Sequence, residues 1–159
     1  KAIPTGPGPG GAVFASRKTH DGLMTGPEGT IELFHGYTYS AHPTACAAGL
    51  ATLDIYKDEG LLTRGASLAE YWRDALHSLK GLPNVIDIRN VGLMGAVEVA
   101  PRKDGVAARG YDVMVDCFNR GLYLRMSGDS FALSPPLIVE KSHIDDIVSI
   151  LGDAIKRVA

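Results

Sequence analysis

Apolar positions fall along the 159 residues in stretches whose spacing changes from one to the next. Residues 44–57 carry Ala47, Leu50, Ala51, Leu53 and Ile55 behind an alanine-rich start, and residues 61–79 carry Leu62, Leu68, Ala69, Trp72, Leu76 and Leu79 near helical spacing. Both predict helices, with Gly60 as the stop between them and Trp72 as a core anchor. Past Pro83-Asn84 the period shortens, so that 85–89 and 95–99 alternate and predict paired strands around Gly92, joined by a turn that need not be tight. Val113, Met114, Cys117 and Phe118 then mark one face of a helix over 111–119, stopped by Gly121, after a charged surface loop at 101–110. Residues 122–126 and 130–133 have the composition of strands flanking the turn Ser127-Gly128-Asp129, the second ending at Pro135-Pro136. Ile144, Ile147, Val148, Leu151, Ala154, Ile155 and Val158 predict an amphipathic final helix, with Ser142 and Asp145 spaced as a capping box.

Upstream of residue 44 the pattern thins. Residues 1–11 hold three prolines and four glycines, which exclude regular helix or strand. Residues 11–16 form a short apolar run expected to be a buried strand, and 16–34 a polar, glycine-punctuated loop. The whole reads as an α/β protein without internal repeats.

Composition narrows the function classes. A chain of this length can bury a real core, and 45% hydrophobic residues suit a globular domain. A net charge of −2 lacks the basic footprint that nucleic acid or an anionic membrane requires. No stretch approaches the roughly 18 consecutive apolar residues of a membrane span, so a cytoplasmic protein is expected. Cys46 and Cys117 stand apart without metal-ligand spacing and are expected to be small buried hydrophobes in a reducing compartment. No His/Cys/Asp/Glu cluster has metal spacing, and no nucleophile elbow, phosphate loop or dinucleotide fingerprint is present. The chain begins with lysine rather than methionine, and is expected to be part of a longer polypeptide.

Candidate chemistry concentrates at residues 35–43, His-Gly-Tyr-Thr-Tyr-Ser-Ala-His-Pro, followed by the small residues 44–49. Pro43 suits the first turn of a helix, which places the hydroxyls of Thr38 and Ser40 just ahead of a helix N-terminus. Unpaired N–H groups and the helix dipole there favour an anion, although an ordinary Ser/Thr-capped loop has the same composition. Arg125 interrupts an apolar strand, so it must reach water, a structural carboxylate or a ligand carboxylate. Lys1, read alone, is a solvated lysine.

Residues 35–49 resemble the corresponding loop and helix of class III aminotransferases of fold type I, especially the ω-amino acid:pyruvate (β-alanine:pyruvate) group. The spacing from Lys1 through Pro9 to Gly11-Ala12-Val13 matches that family's K-A-L-T-N-G-x-x-P-x-G-A-V segment, with Pro4, Pro7, Gly8 and Gly10 departing from its usual residues. The resemblance implies a pyridoxal 5′-phosphate (PLP) enzyme passing an amino group from an ω-amino acid or amine, such as β-alanine, to pyruvate or a related oxo acid. Acetylornithine, diaminopelargonate and glutamate-semialdehyde enzymes are the competing types within the family. A non-catalytic α/β association module is the alternative outside it.

On this resemblance Lys1 is the Schiff-base lysine, whose deprotonated amine condenses with the cofactor aldehyde and later shuttles a proton. Thr38 binds the cofactor phosphate held by the neighbouring subunit of a homodimer, Tyr37 is an adjacent cofactor contact, and Arg125 clamps the substrate carboxylate. The implied organisation is the tail of a large PLP-binding domain at 1–42, an interdomain helix at 43–59 and a complete small C-terminal domain at 60–159. The remaining cofactor contacts are expected upstream, and these 159 residues alone are expected to be inactive.

Overall fold

Two units divide the chain, Lys1–Glu59 and Gly60–Ala159. The computed structural model describes residues 10–29, 36, 38–103 and 105–159 of them.

In the first unit the expected strand at 11–16 is absent: these residues pair with no described residue, and Val13 is 98% and Phe14 94% exposed. An apolar run becomes a strand only when a ladder partner satisfies its backbone, and no described residue of this unit supplies one. Part of the expected loop is instead a short helix, α1 (Arg17–Leu23), started by Ser16, whose Oγ accepts the Thr19 N–H at 3.2 Å. Helix α2 (Pro43–Asp58) follows with proline in its first turn, as expected. Within its unit its apolar side chains are not covered, for Leu50, Leu53 and Ile55 are all exposed. Cys46 is exposed as well, contrary to expectation.

The second unit contains α3 (Leu61–His77), β1 (Val85–Val91), β2 (Met94–Val99), α4 (Ala108–Asn119), β3 (Arg125–Ser127), β4 (Ser130–Leu133) and α5 (Lys141–Arg157). The strands form one antiparallel sheet in the order β1-β2-β4-β3. Strand alternation turns Val97, Val99, Phe131 and Leu133 toward the helices, where they join Trp72, Leu76, Val113, Cys117, Ile144 and Leu151 in one buried core. Trp72 is fully buried, as its place on the helical stripe predicts.

Three details add to or differ from the expected elements, and the last two arise at helix ends. The β1–β2 turn is tight after all: Val91 pairs with Met94, leaving a loop of Gly92 and Leu93. At the end of α4, Gly121 (φ +88°) lets its own N–H reach the Phe118 carbonyl at 3.0 Å and that of Leu122 reach the Cys117 carbonyl at 2.9 Å. This Schellman closure uses the Leu122 N–H for a helix cap, so the strand expected from 122 starts only at Arg125. Helix α5 is capped by Glu140 and His143 rather than Ser142 and Asp145, the Glu140 N–H donating to His143 Nδ1 at 3.2 Å. Asp145 instead accepts the Tyr71 hydroxyl at 2.6 Å, a bond that raises the phenol's pKa above its ordinary value.

Candidate functional site

Pro43 removes one of the N–H groups that a helix start leaves unpaired, and the next ones remain available because His42, the N-cap residue, makes no side-chain capping bond. Ahead of it the chain turns back on itself, the His42 N–H donating to the Tyr39 carbonyl at 3.3 Å. Ala41 takes a left-handed conformation there (φ +59°), a strained choice for a residue with a Cβ. Thr38 opens this turn and is exposed, and its hydroxyl bonds to no described residue. A free hydroxyl, free helix N–H groups and the positive end of the α2 dipole suit an oxyanion such as phosphate. Lys1 and Tyr37 lie outside the described residues.

Arg125 opens β3, opposite Ala132 of β4, which pairs in turn with Ala96 of β2, itself paired with Arg89 of β1. These four residues form one cross-sheet row on the face turned away from the helices. Its two arginines differ. Arg89 is satisfied by Asp87, by Glu98 at 3.0 Å and by Ser130 at 3.3 Å. Arg125 is exposed and makes no ion pair or hydrogen bond with any described residue, so its guanidinium fork is open to a ligand.

A cavity of about 630 Å³ runs from Arg125 past Tyr123, Pro135 and His143 to Trp72. Its far wall, the segment after Pro135-Pro136, is pinned to α3 by Arg64, whose Nη2 donates to the Val139 carbonyl at 2.9 Å. A mostly apolar hollow with Arg125 in its lining can take a small molecule that ends in a carboxylate.

The residue that sequence reasoning passed over is Asp129. It is 8% exposed, and its carboxylate accepts the Gly110 N–H through Oδ1 and the Ala107 N–H through Oδ2, both at 2.8 Å. The helix expected from residue 111 therefore starts at Ala108, because a carboxylate from another element satisfies its first N–H groups. The only local signal was an aspartate after a glycine, which any turn can show.

Thr38 and Arg125 thus belong to different units, and each is described within its own. Among the described residues no group of three or more His, Cys, Asp or Glu is placed to hold a metal ion, and no helix is long and apolar enough to cross a membrane. Cys117 is no nucleophile: burial, reinforced by the neighbouring Asp116, pushes its thiol up to about 11.

The mixed α/β chain with its antiparallel sheet has the fold of solved transaminase structures. Residues 1–155 match the family model described as aminotransferase class-III, and the chain belongs to that family. It is 53% identical over 150 residues to an omega-aminotransferase of Caulobacter vibrioides, covering 94% of this chain and 33% of that protein. It is 40% identical over 161 residues to a beta-alanine–pyruvate aminotransferase of Pseudomonas aeruginosa, covering 100% of this chain and 36% of that one. A thermostable omega transaminase variant from Pseudomonas jessenii has a similar structure, with a TM-score of 0.74 and 30% identity over 80% of this chain and 30% of the other. The chain thus spans about a third of the length of the curated relatives it matches.

Proposed function

We propose that the protein transfers an amino group from an ω-amino acid or amine, such as β-alanine, to pyruvate, with PLP as cofactor, as one subunit of a cytoplasmic homodimer. The observation that carries this reading is the 53% identity to an omega-aminotransferase across 94% of the chain. The activity is assigned to the protein at its full native length, since these residues correspond to a third of such relatives. In the same reading residues 1–42 close a large cofactor-binding domain, 43–59 form the connecting helix and 60–159 the small domain.

The described residues fit the cofactor at the one place where they can be tested. Thr38 is exposed, its hydroxyl is unpaired, and it precedes a helix start that no side chain caps. When bound, the cofactor supplies an aldehyde and an electron-accepting ring. Thr38 would donate its hydroxyl to the phosphate of a cofactor held in the other subunit, and Tyr37 would be the adjacent cofactor contact. Lys1 contributes an amine that must be neutral to act as nucleophile and as proton carrier. Arg125 forks onto the substrate carboxylate and leaves the amine end free to react.

Borohydride reduction of the full-length enzyme, followed by peptide mapping, should recover the cofactor on Lys1. A donor and acceptor panel should favour β-alanine and pyruvate over acetylornithine, diaminopelargonate and glutamate semialdehyde. Recovery of the cofactor on another residue would overturn the assignment of Lys1, and no turnover of any ω-amino donor would overturn the function.

A further inference from the structure

We propose that Asp129 is the residue that aims Arg125, by clamping the tip of the β3–β4 hairpin onto the start of α4 so that the guanidinium meets a substrate carboxylate in one orientation. The inference rests on the reading of Arg125 as the carboxylate clamp.

Arg125 has no hydrogen bond to any described residue, so the position of its head is inherited from the backbone of β3. That strand is three residues long and pairs only with β4, at the edge of the sheet. An edge hairpin of this size is free to twist unless its tip is held. The tip is Gly128-Asp129, and Asp129 ties it to two other elements. Its side chain takes two N–H groups at the start of α4, and its main-chain carbonyl accepts the Val99 N–H at 2.9 Å at the end of β2.

The arrangement exceeds what capping α4 requires. A Ser, Thr or Asp at position 107 would cap the helix from within its own segment. Position 107 is instead an alanine in the left-handed region (φ +71°), and the cap comes from the hairpin that carries Arg125. Helix and hairpin are thereby coupled, and both carboxylate oxygens are in use. Asparagine has the same shape but only one accepting oxygen, so Asp129→Asn breaks one of the two bonds without opening a cavity.

The test uses full-length holoenzyme in the donor half-reaction, with no oxo acid present, comparing β-alanine with propylamine, which has no carboxylate. In this single turnover Asp129→Asn should lower the maximal rate constant divided by the half-saturating β-alanine concentration, here called KM, by about 10- to 100-fold, mainly through KM, as expected when a binding group moves by around 1 Å. Propylamine should change less, and equilibrium binding of propionate should weaken in step with β-alanine. Arg125→Ala should produce the same preference loss, and Arg125→Ala/Asp129→Asn should lose no more than Arg125→Ala alone, because aiming a missing group has no value.

Adding Ala107→Gly relieves the left-handed strain and should return Tm without returning the β-alanine KM. Equal losses for both amines, recovery of KM along with Tm, or full additivity with Arg125→Ala would each overturn the aiming role. If Arg125→Ala weakens β-alanine and propionate while Asp129→Asn weakens neither, only the aiming role fails. If Arg125→Ala itself changes neither, the clamp reading fails and the aiming role with it.

Discussion

Gly110→Ala sets helix propensity against tertiary packing, and the two predict opposite signs. Gly110 lies inside α4, where replacing glycine by alanine ordinarily stabilises a helix by about 1 kcal/mol. A Cβ at this position would stand 2.7 Å from the Gly128 carbonyl oxygen, 3.1 Å from Asp129 Cα and 3.3 Å from Asp129 Oδ1. The first two obstacles are backbone, so the whole turn must move. Overpacking of this kind costs about 1–3 kcal/mol. Moving the turn also weakens the bonds from Gly110 and Ala107 to the carboxylate, at about 1.5–3 kcal/mol for each bond lost.

With one bond lost and the helical gain subtracted, a net loss of about 1.5–5 kcal/mol is expected, read as a lower urea midpoint at unchanged slope. Gly152→Ala in α5 is the control. Its Cβ would meet Leu79 Cδ2 at 2.9 Å and Leu82 Cδ1 at 3.6 Å, the far ends of side chains that can give way, so it should stay within about 1 kcal/mol of wild type. If Gly110→Ala is as stable as Gly152→Ala, the packing of the 128–129 turn on α4 is not as described.

Three further outcomes are expected. Thr38→Ala should weaken PLP retention roughly ten- to hundred-fold, the loss of one charge-assisted bond of about 1.5–3 kcal/mol. Mixed with Lys1→Ala it should regain activity on subunit exchange, up to about one intact site in four under random re-pairing; a mixture that stays inactive after confirmed exchange refutes the shared site. Asp116 accepts bonds from Arg157 at 2.7 Å and Arg120 at 3.2 Å, and the Arg157 bond above all holds its carboxyl below the usual value of 3.8. Its stabilisation is therefore full above the unfolded-state pKa and lost as pH falls through the lower folded one. Wild type should outlast Asp116→Asn in urea at pH 7, with the gap closing only below about pH 4. Cys117 should resist iodoacetamide at pH 8 until the protein unfolds, as a buried thiol held at about 11 requires; labelling at the rate of a free thiol would show the core open.

Elements whose signal is local were legible before any coordinates. Helices α3 and α5 and the β1–β2 pair follow from side-chain periodicity, which survives folding because it is what the core selects, while α2 follows from its proline start and run of helix-forming residues and β4 from its strand composition. Family membership was equally legible, since residues 35–43 and the spacing from Lys1 to Val13 carry it as text. Arg125 stood out because a charge in an apolar run needs a partner. Only the folded chain shows that no described residue provides one, while Arg89 in the same cross-sheet row is fully engaged.

What tertiary structure alone decided is where backbone groups find their partners. The run at 11–16 has strand composition but no ladder partner among the described residues of its unit, and Ser16 caps a helix just past it. The start of α4 depends on a carboxylate 22 residues from the N–H of Ala107 that it accepts. The late start of β3 depends on a helix cap that uses the Leu122 N–H first. A hydrogen bond between groups far apart in sequence leaves no periodic trace, because it constrains two positions and not the spacing between them.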